Sequence, residues 1–440
     1  MLKICLSLII LLLMIGSSTS LHFSKFNKFE CYMLRSAAKR IQVFITISSV
    51  TVSTTQDGIV KRQLEVNWVG GQPSPGDSVG VYTEDPELNP LIEPIISINP
   101  SSHPDGYFKT HVELPVIFFN MSCLRQEHCL GYWAAYSNKN GKILSSSCLR
   151  IRPFWMEKHS RYLSKLTLAE AMIPGSHDSG SFYFHKATQA IQRYKYTQDE
   201  SIFSQLIYGL RYFDLRIGYY THSEEKYYIN HNFLRTEHSV KSVLHEVLQF
   251  INATKEVVIL DFHKFPIGFS QESIHYGLMD IIVRTLGAYL IPSTPSYHSM
   301  TFRQLWKENK RVLVSYDSEF RDRRYPNSFW PAIPRAWGNK QHPQDLKRYF
   351  EETYKKPRPE GLWASMAELT PNARTIPRHP FTGLRIFADL INRNVTRWFR
   401  DLFWRKANII ATDYFLGNNI IDVAIQINKI KGYCPKETFG

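Results

Sequence analysis

His177 and Asp178 stand side by side in the run Met172-Ile-Pro-Gly-Ser-His-Asp-Ser-Gly-Ser-Phe182, a loop bracketed by glycines. An imidazole in such a loop can move protons near neutral pH, and the adjacent carboxylate can tune or orient it. Two more polar sets follow. Asp214 and Arg216 alternate within Leu210-Arg-Tyr-Phe-Asp-Leu-Arg-Ile217, and His231 closes the run Tyr227-Tyr-Ile-Asn-His231. Each follows or ends an apolar run of strand character, where barrel enzymes carry their catalytic residues. His222 and His238 flank His231 but lack an apolar run in front, so they read as surface residues.

The elements that position these residues come from the second half of the chain. Glu256–Phe262, Arg311–Tyr316 and Asn408–Tyr414 are compact apolar runs, suited to strands buried on both faces of a parallel sheet. Between Ser239 and Ile251, Val240, Val243, Leu244, Val247, Leu248 and Ile251 form a helical stripe. Thr167-Leu-Ala-Glu170 fits a capping box that opens a short turn before the His177 loop. Strand and helix alternate through residues 160–440, which predicts an α/β domain of the TIM-type (β/α) barrel.

The first part has another grammar. Gln63–Trp68 alternates so that Leu64, Val66 and Trp68 share a buried face. The turn Gly70–Gly76 ends it, and Asp77–Tyr82 opens another strand. Tyr132, Ala134 and Tyr136 alternate before the turn Asn138–Gly141. Residues 21–155 therefore read as an all-β sandwich with no catalytic constellation, and its expected role is packing or recognition. Length agrees, since 440 residues predict two or three domains.

Residues 1–20 have the order of a secretory signal peptide: Lys3, the apolar stretch Ile4–Ile15, then Gly16-Ser-Ser-Thr-Ser20. Its removal takes Cys5 and leaves Cys31, Cys123, Cys129, Cys148 and Cys434, which predicts one or two disulfides in the N-terminal part and one thiol over. No C-x-x-C pair suggests zinc. Sequons at Asn120, Asn252 and Asn394 are candidate glycosylation sites of a secreted, extracellular protein. A net charge of +14 favours anionic partners. The basic runs Arg321–Arg324 and Lys355–Arg358 form no helix-length stripe and accompany no nucleic-acid motif, so nucleic acid is not expected, and the charge reads either as a merely basic surface or as one that docks on an anionic lipid membrane.

The motifs at 174–180 (Pro-Gly-Ser-His-Asp-Ser-Gly) and 209–216 (Gly-Leu-Arg-Tyr-Phe-Asp-Leu-Arg), with His231, Val257–Phe262 and Ala411–Tyr414, occur in one order with suitable gaps. In this the chain resembles the phosphatidylinositol-specific phospholipase C X-domain family over about Lys165–Ile430, and is most similar to its single-X-domain proteins. The stretch Pro75–Tyr82 resembles Ig-like sandwiches of the SKICH type.

The resemblance implies cleavage of a phosphodiester by the inositol 2-hydroxyl, with diacylglycerol leaving and a cyclic inositol phosphate formed. His177 matches the general base and His231 the general acid. Arg216 matches the phosphate-binding arginine of metal-independent members, where calcium-dependent relatives place an acidic ligand, so no cofactor and no metal are expected. Asp214 is expected to hold Arg216, Asp178 to keep the acid histidine charged, and Asp413 to position the base. Asp261 is expected at the substrate-facing end of its strand. Implied substrates are phosphatidylinositol or glycosyl-phosphatidylinositol lipids at a membrane surface. Where the family commonly carries glycine after the second histidine, Asn232 stands here, a residue that tolerates left-handed backbone. Two other classes remain as alternatives: a catalytically degenerate barrel that binds lipid or glycan, and a phospholipase D-like barrel with magnesium. Arg216 disfavours the second, since it stands where a metal carboxylate is wanted.

Overall fold

The computed structural model describes residues 31–34, 36, 40–372 and 382–434; the leader expected at 1–20 lies outside them. Seven strands form two antiparallel sheets: β1 (Gln42–Thr54), β2 (Val60–Val69), β3 (Ser78–Tyr82), β4 (Ile96–Ile98), β5 (Tyr107–Pro115), β6 (Cys129–Ser137) and β7 (Ile143–Arg150). One sheet has the order β1-β2-β5 and the other β4-β3-β6-β7. Leu64, Val66 and Trp68 are all buried, as their alternation predicts, and share one apolar cluster with Val79, Val81 and Tyr136 of the second sheet. Inside that cluster the Tyr136 hydroxyl donates to Asp77 at 2.8 Å, so this polar tip has a partner.

The second unit is built from β8 (Ile173–Ser176), β9 (Tyr212–Tyr219), β10 (Tyr227–His231), β11 (Leu234–Ser239), β12 (Val258–Ile267), β13 (Val312–Tyr316), β14 (Arg335–Trp337), β15 (Ala364–Met366) and β16 (Ile409–Thr412). Parallel pairing runs β13-β12-β9-β8-β16-β15-β14. Trp330, just ahead of β14, bridges in parallel to Ser315 of β13. That bridge closes the ring, so among the described residues seven parallel strands make a barrel. The pair β10–β11 is an antiparallel hairpin attached to the outer half of β9. The helical stripe appears as the helix Val240–Ala253, capped by Ser239 Oγ accepting from the Ser242 amide. The Thr167–Glu170 box forms both reciprocal bonds, at 2.9 and 3.3 Å, around a single turn.

Closing the barrel puts the C-terminal ends of all its strands at one mouth, which is what gathers residues 177, 214, 216, 263, 368 and 413 from distant parts of the chain. Close approach at two positions requires glycine. A Cβ on Gly175 would lie 2.6 Å from the Tyr212 ring, and one on Gly180 would lie 2.8 Å from Ile229 of the hairpin.

The sheets are fastened to the barrel by buried charge. Arg62 of β2 donates at 2.8 Å to both Asp199 and Glu200, in the loop ahead of the helix Ile202–Tyr208. Arg385 reaches the same Asp199 from the helix Gly383–Arg397. Ser49 of β1 accepts from Asn392, whose amide also donates to the carbonyls of Asp413 and Tyr414. Disulfides join Cys129 to Cys148 between β6 and β7, and Cys31 to Cys434 across the length of the chain. The second departs from the expectation of pairing within the N-terminal part, since its partners are 403 residues apart in sequence.

Removing one partner of a fully buried ion pair costs about 3–5 kcal/mol, because the remaining charge is stranded. Arg62→Met is therefore expected to lower unfolding free energy by that amount in denaturant titration, and adding Asp199→Asn and Glu200→Gln should recover part of it. Equal stability of Arg62→Met and the wild type would show that this clamp does not fasten the sheets.

Candidate active site

The barrel mouth holds a cavity of about 570 Å³ whose polar wall includes His177, Arg216, His231, Glu368 and Asp413. Each is delivered by a strand end. His177 follows β8, and its amide donates to Thr412 of β16. Its Nδ1 lies 2.8 Å from Asp413 Oδ1, just beyond β16. Its Nε2 lies 2.5 Å from Arg216 Nη2 on β9. A guanidinium offers only donors, so a hydrogen bond at this contact requires Nε2 to accept, with the ring proton on Nδ1 toward Asp413.

Arg216 is the hub. Nη2 also donates to Asp214 at 3.1 Å, and Nη1 lies 3.5 Å from Asp178 Oδ2. Asp178 has a left-handed φ of 41°, strained for a non-glycine residue, and its own amide donates to Asp214 at 3.0 Å. Neither carboxyl oxygen of Asp178 has a hydrogen-bond partner. From the hairpin, His231 Nε2 comes within 3.9 Å of Asp178 Oδ2. Asn232 turns the hairpin with φ 51°, so asparagine supplies the left-handed turn expected of it.

Protonation follows from these placements. Burial lowers the affinity of His177 for a proton, but Glu368 and Asp413 outweigh it and push the pKa up to about 9; Arg216 opposes them. The ring is therefore poised. The two carboxylates favour the imidazolium, whereas the Arg216 contact at Nε2 favours the neutral ring. His231 is pulled down to about 3 by burial, then by Arg216 and His177, so it is neutral in this structure. Burial pushes Asp178 up to about 7 against Arg216. Asp178 thus does not by itself keep His231 charged, whatever its position suggests. For Asp214 burial acts upward, but His263 and Arg216 outweigh it and hold the carboxyl well below its usual range.

Of the residues singled out from sequence, His177, Asp178, Asp214, Arg216, His231 and Asp413 form one contiguous network. Asp261 is beneath it, fully buried, accepting from Tyr212 at 2.7 Å and Arg335 at 2.6 Å. It holds Arg335, which does line the cavity. His222 is exposed. His238 is not the surface residue expected: its ring stacks on Phe182 at 3.7 Å and its Nε2 lies 2.9 Å from the Phe182 carbonyl oxygen. Trp330 and Trp363 are core residues, and Trp337 is half exposed at the cavity.

Three cavity residues escape the sequence reading. His263 lies 2.6 Å from Asp214 Oδ1 and occupies a register shift of β12 against β9, between Phe262 and Lys264. A bulge of this kind re-aims a side chain, and nothing in the apolar pattern announces it. Arg335 and Glu368 belong to three-residue strands or their ends, too short for a period. Both oxygens of Glu368 lack partners, and burial first pushes its pKa up to about 7.

No family model matches the chain. It is 30% identical over 306 residues to the PI-PLC X domain-containing protein 2 of Mus musculus, covering 62% of this chain and 86% of that protein. It is 28% identical over 314 residues to the PI-PLC X domain-containing protein 1 of Homo sapiens, covering 65% and 95%. A phosphatidylinositol-specific phospholipase C of Staphylococcus aureus superposes with a TM-score of 0.49 at 16% identity, covering 63% of this chain and 97% of that one.

The site's electrostatics can be read by titration. Asp413→Asn should bring the His177 midpoint down from about 9 in imidazole NMR, whereas Arg216→Ala should raise it further. A histidine held above its ordinary 6.5 stabilises the fold fully below that pH and loses the contribution as pH rises through about 9. The stability gap between wild type and Asp413→Asn should therefore narrow across that window. A His177 midpoint indifferent to both substitutions would contradict the network.

Proposed function

The chain belongs to the family of PI-PLC X domain-containing proteins, and from that premise we propose that it is a phosphatidylinositol-cleaving phospholipase C acting without a metal ion. The contact of Arg216 with His177 Nε2, at 2.5 Å and between two carboxylates, is the observation that carries the reading. It supplies a permanent cation at the place where a phosphodiester must sit to be reached by both histidines. Asp214 and Asp178 already pair with that cation, so they act as its supports.

In this mechanism the phosphodiester displaces Arg216 from His177 and takes its N–H donors. His177 Nε2 then accepts the proton of the inositol 2-hydroxyl, whose oxygen forms a bond to phosphorus. The bond from phosphorus to the glycerol oxygen breaks, and His231 donates the proton that diacylglycerol carries away. The product is a cyclic inositol phosphate, and water with the roles reversed would open it. Arg216 depresses both histidines, so an anion that neutralises it raises the proton affinity of both. That lets His231, beside Asp178, acquire the proton it must give, while His177 accepts a proton in its neutral form.

The other inositol hydroxyls find acceptors in the unpartnered oxygens of Glu368 and donors in Arg335 and Lys264. Tyr194, Trp337 and Leu384 make an apolar wall suited to the sugar ring and glycerol. Phe233, 77% exposed at the hairpin tip next to His231 and Asn232, gives the mouth an apolar contact for a lipid surface. Substrates of this shape are phosphatidylinositol and glycosyl-phosphatidylinositol lipids.

The same reading includes secretion and an Ig-like identity for the two-sheet unit. Secretion accords with the leader composition and with two disulfides, which persist in oxidising compartments. Asn120 and Asn252 are exposed and Asn394 is partly so, as glycan acceptors would need.

Phosphatidylinositol vesicles incubated with the purified protein in excess EDTA should yield cyclic inositol phosphate and diacylglycerol, with no stimulation by calcium. His177→Ala and His231→Ala should each reduce kcat by at least ~10²-fold. Arg216→Lys keeps the charge but loses the planar fork, and should cost about 3 kcal/mol in the transition state. A strict calcium requirement, or near-normal turnover by Arg216→Lys, would overturn the metal-free assignment.

A further inference from the structure

A second large cavity, of about 510 Å³, opens at the seam between the N-terminal sheets and the barrel. One wall is loop from the sheets, Trp68–Pro73 and Pro100–Gly106. The other is Arg397, last residue of the helix Gly383–Arg397, and Arg400, in the π-helical turn Trp398–Leu402 that continues it. Leu384, at the opposite end of this helix, lines the catalytic cavity, and the span to Arg397 is about 20 Å of helix. The two cavities are therefore separate. Helical turns of the π type are rare and concentrate at functional sites.

Neither arginine is fully used by the protein. The Arg400 side chain is only 10% exposed, and its Nε and Nη2 both donate to Asp401 at 2.7 Å. Its Nη1 is buried with no hydrogen-bond partner. A guanidinium fixed on one edge by a carboxylate, with Nη1 left unpartnered, keeps donor capacity for a second anion. Arg397 makes no hydrogen bond and no close ion pair among the described residues. It is admitted by Gly106, which has φ +68° and where a Cβ would stand 3.1 Å from Arg397 Nη2 and 2.7 Å from the Trp68 carbonyl oxygen. Burial first, then Arg400 and Arg393, lowers the pKa of Arg397 in spite of Asp105. Two guanidinium groups thus stand on this wall, with Asp401 against Arg400 and Asp105 opposing the burial of Arg397.

We propose that this cavity is a binding site for an oxyanion, a phosphate or sulfate monoester, held between Arg397 and Arg400. Two guanidinium edges call for several acceptor oxygens on one group, which such an ester supplies and a hydroxyl or amide does not. The cavity is several times larger than the oxyanion itself, so the alcohol that carries the ester has room against the opposite wall. There Gln72 and Ser101 offer polar groups, and the His103 ring, stacked on Phe108 at 5.2 Å, offers a fixed edge. The ligand is a soluble anionic molecule whose site bridges both units of the fold.

The test is performed on the full chain carrying Arg216→Ala, which removes the phosphate contact of the catalytic cavity. Sodium phosphate and sodium sulfate are titrated separately, by calorimetry and by the Trp68 indole NMR signal. Saturable binding of at least one anion is expected, with a shift of the Trp68 signal, and the stronger of the two identifies the ester. Adding Arg397→Gln should weaken it at least tenfold; this residue has no partner among the described residues, so its loss leaves the fold intact. Arg400→Ala should do the same, with thermal unfolding as control. No saturable binding of either anion would overturn the proposal, as would binding that Arg397→Gln leaves unchanged.

Discussion

One guanidinium organises the barrel mouth of this molecule. Arg216 is almost wholly buried and has no acceptor to offer, so every neighbour must be an acceptor or an anion. Asp214, Asp178 and the Nε2 of His177 fill those places. Asp178 and Asp214 both face that cation, and it opposes the proton that Glu368 and Asp413 would hold on His177. A buried charge pair is weak evidence for stability but can fix a unique arrangement, and here it fixes two histidines and their carboxylates around one cation.

The second constraint is the support beneath the histidine. Gln198 donates to the carbonyls of His177 and Thr412, and Thr197 donates to that of Asp178. The next two residues, Asp199 and Glu200, are those gripped by Arg62 of the N-terminal sheet. Asn392 similarly ties the Asp413 backbone to Ser49. The sheets therefore contribute directly to the rigidity of the His177–Asp413 pair, and one apolar cluster runs without interruption from Val43 and Trp68 to Phe203 and Phe415. The N-terminal unit is part of the platform on which the site is built.

Residues with strong local signals are legible in the chain itself. His177 and Asp178 sit in a glycine-framed loop, Asp214 and Arg216 alternate on a strand, and the apolar runs mark β12, β13 and β16. What the chain hides is anything decided by geometry across strands. Arg211 and Arg216 occupy one motif, yet Arg211 is a fully buried anchor to Glu256 at the base and Arg216 faces the cavity. No spacing rule separates them. His263 depends on a bulge, Arg335 and Glu368 on strands of three residues, and the Cys31–Cys434 pairing on distant parts of the chain meeting. Asp261 has the composition of a site residue but is capped by Tyr212 and Arg335. A strand-end carboxylate is equally suited to substrate or to a neighbouring arginine, and only placement distinguishes them.

The central claim is that an anion on Arg216 raises the proton affinity of the histidines it now depresses. It is tested most directly by following the imidazole signals of His177 and His231 through a pH titration, with and without saturating inositol 1-phosphate. The account predicts that both midpoints move upward on binding, His231 rising from about 3 and His177 from about 9. Midpoints that stay fixed or fall while the ligand is bound would contradict it.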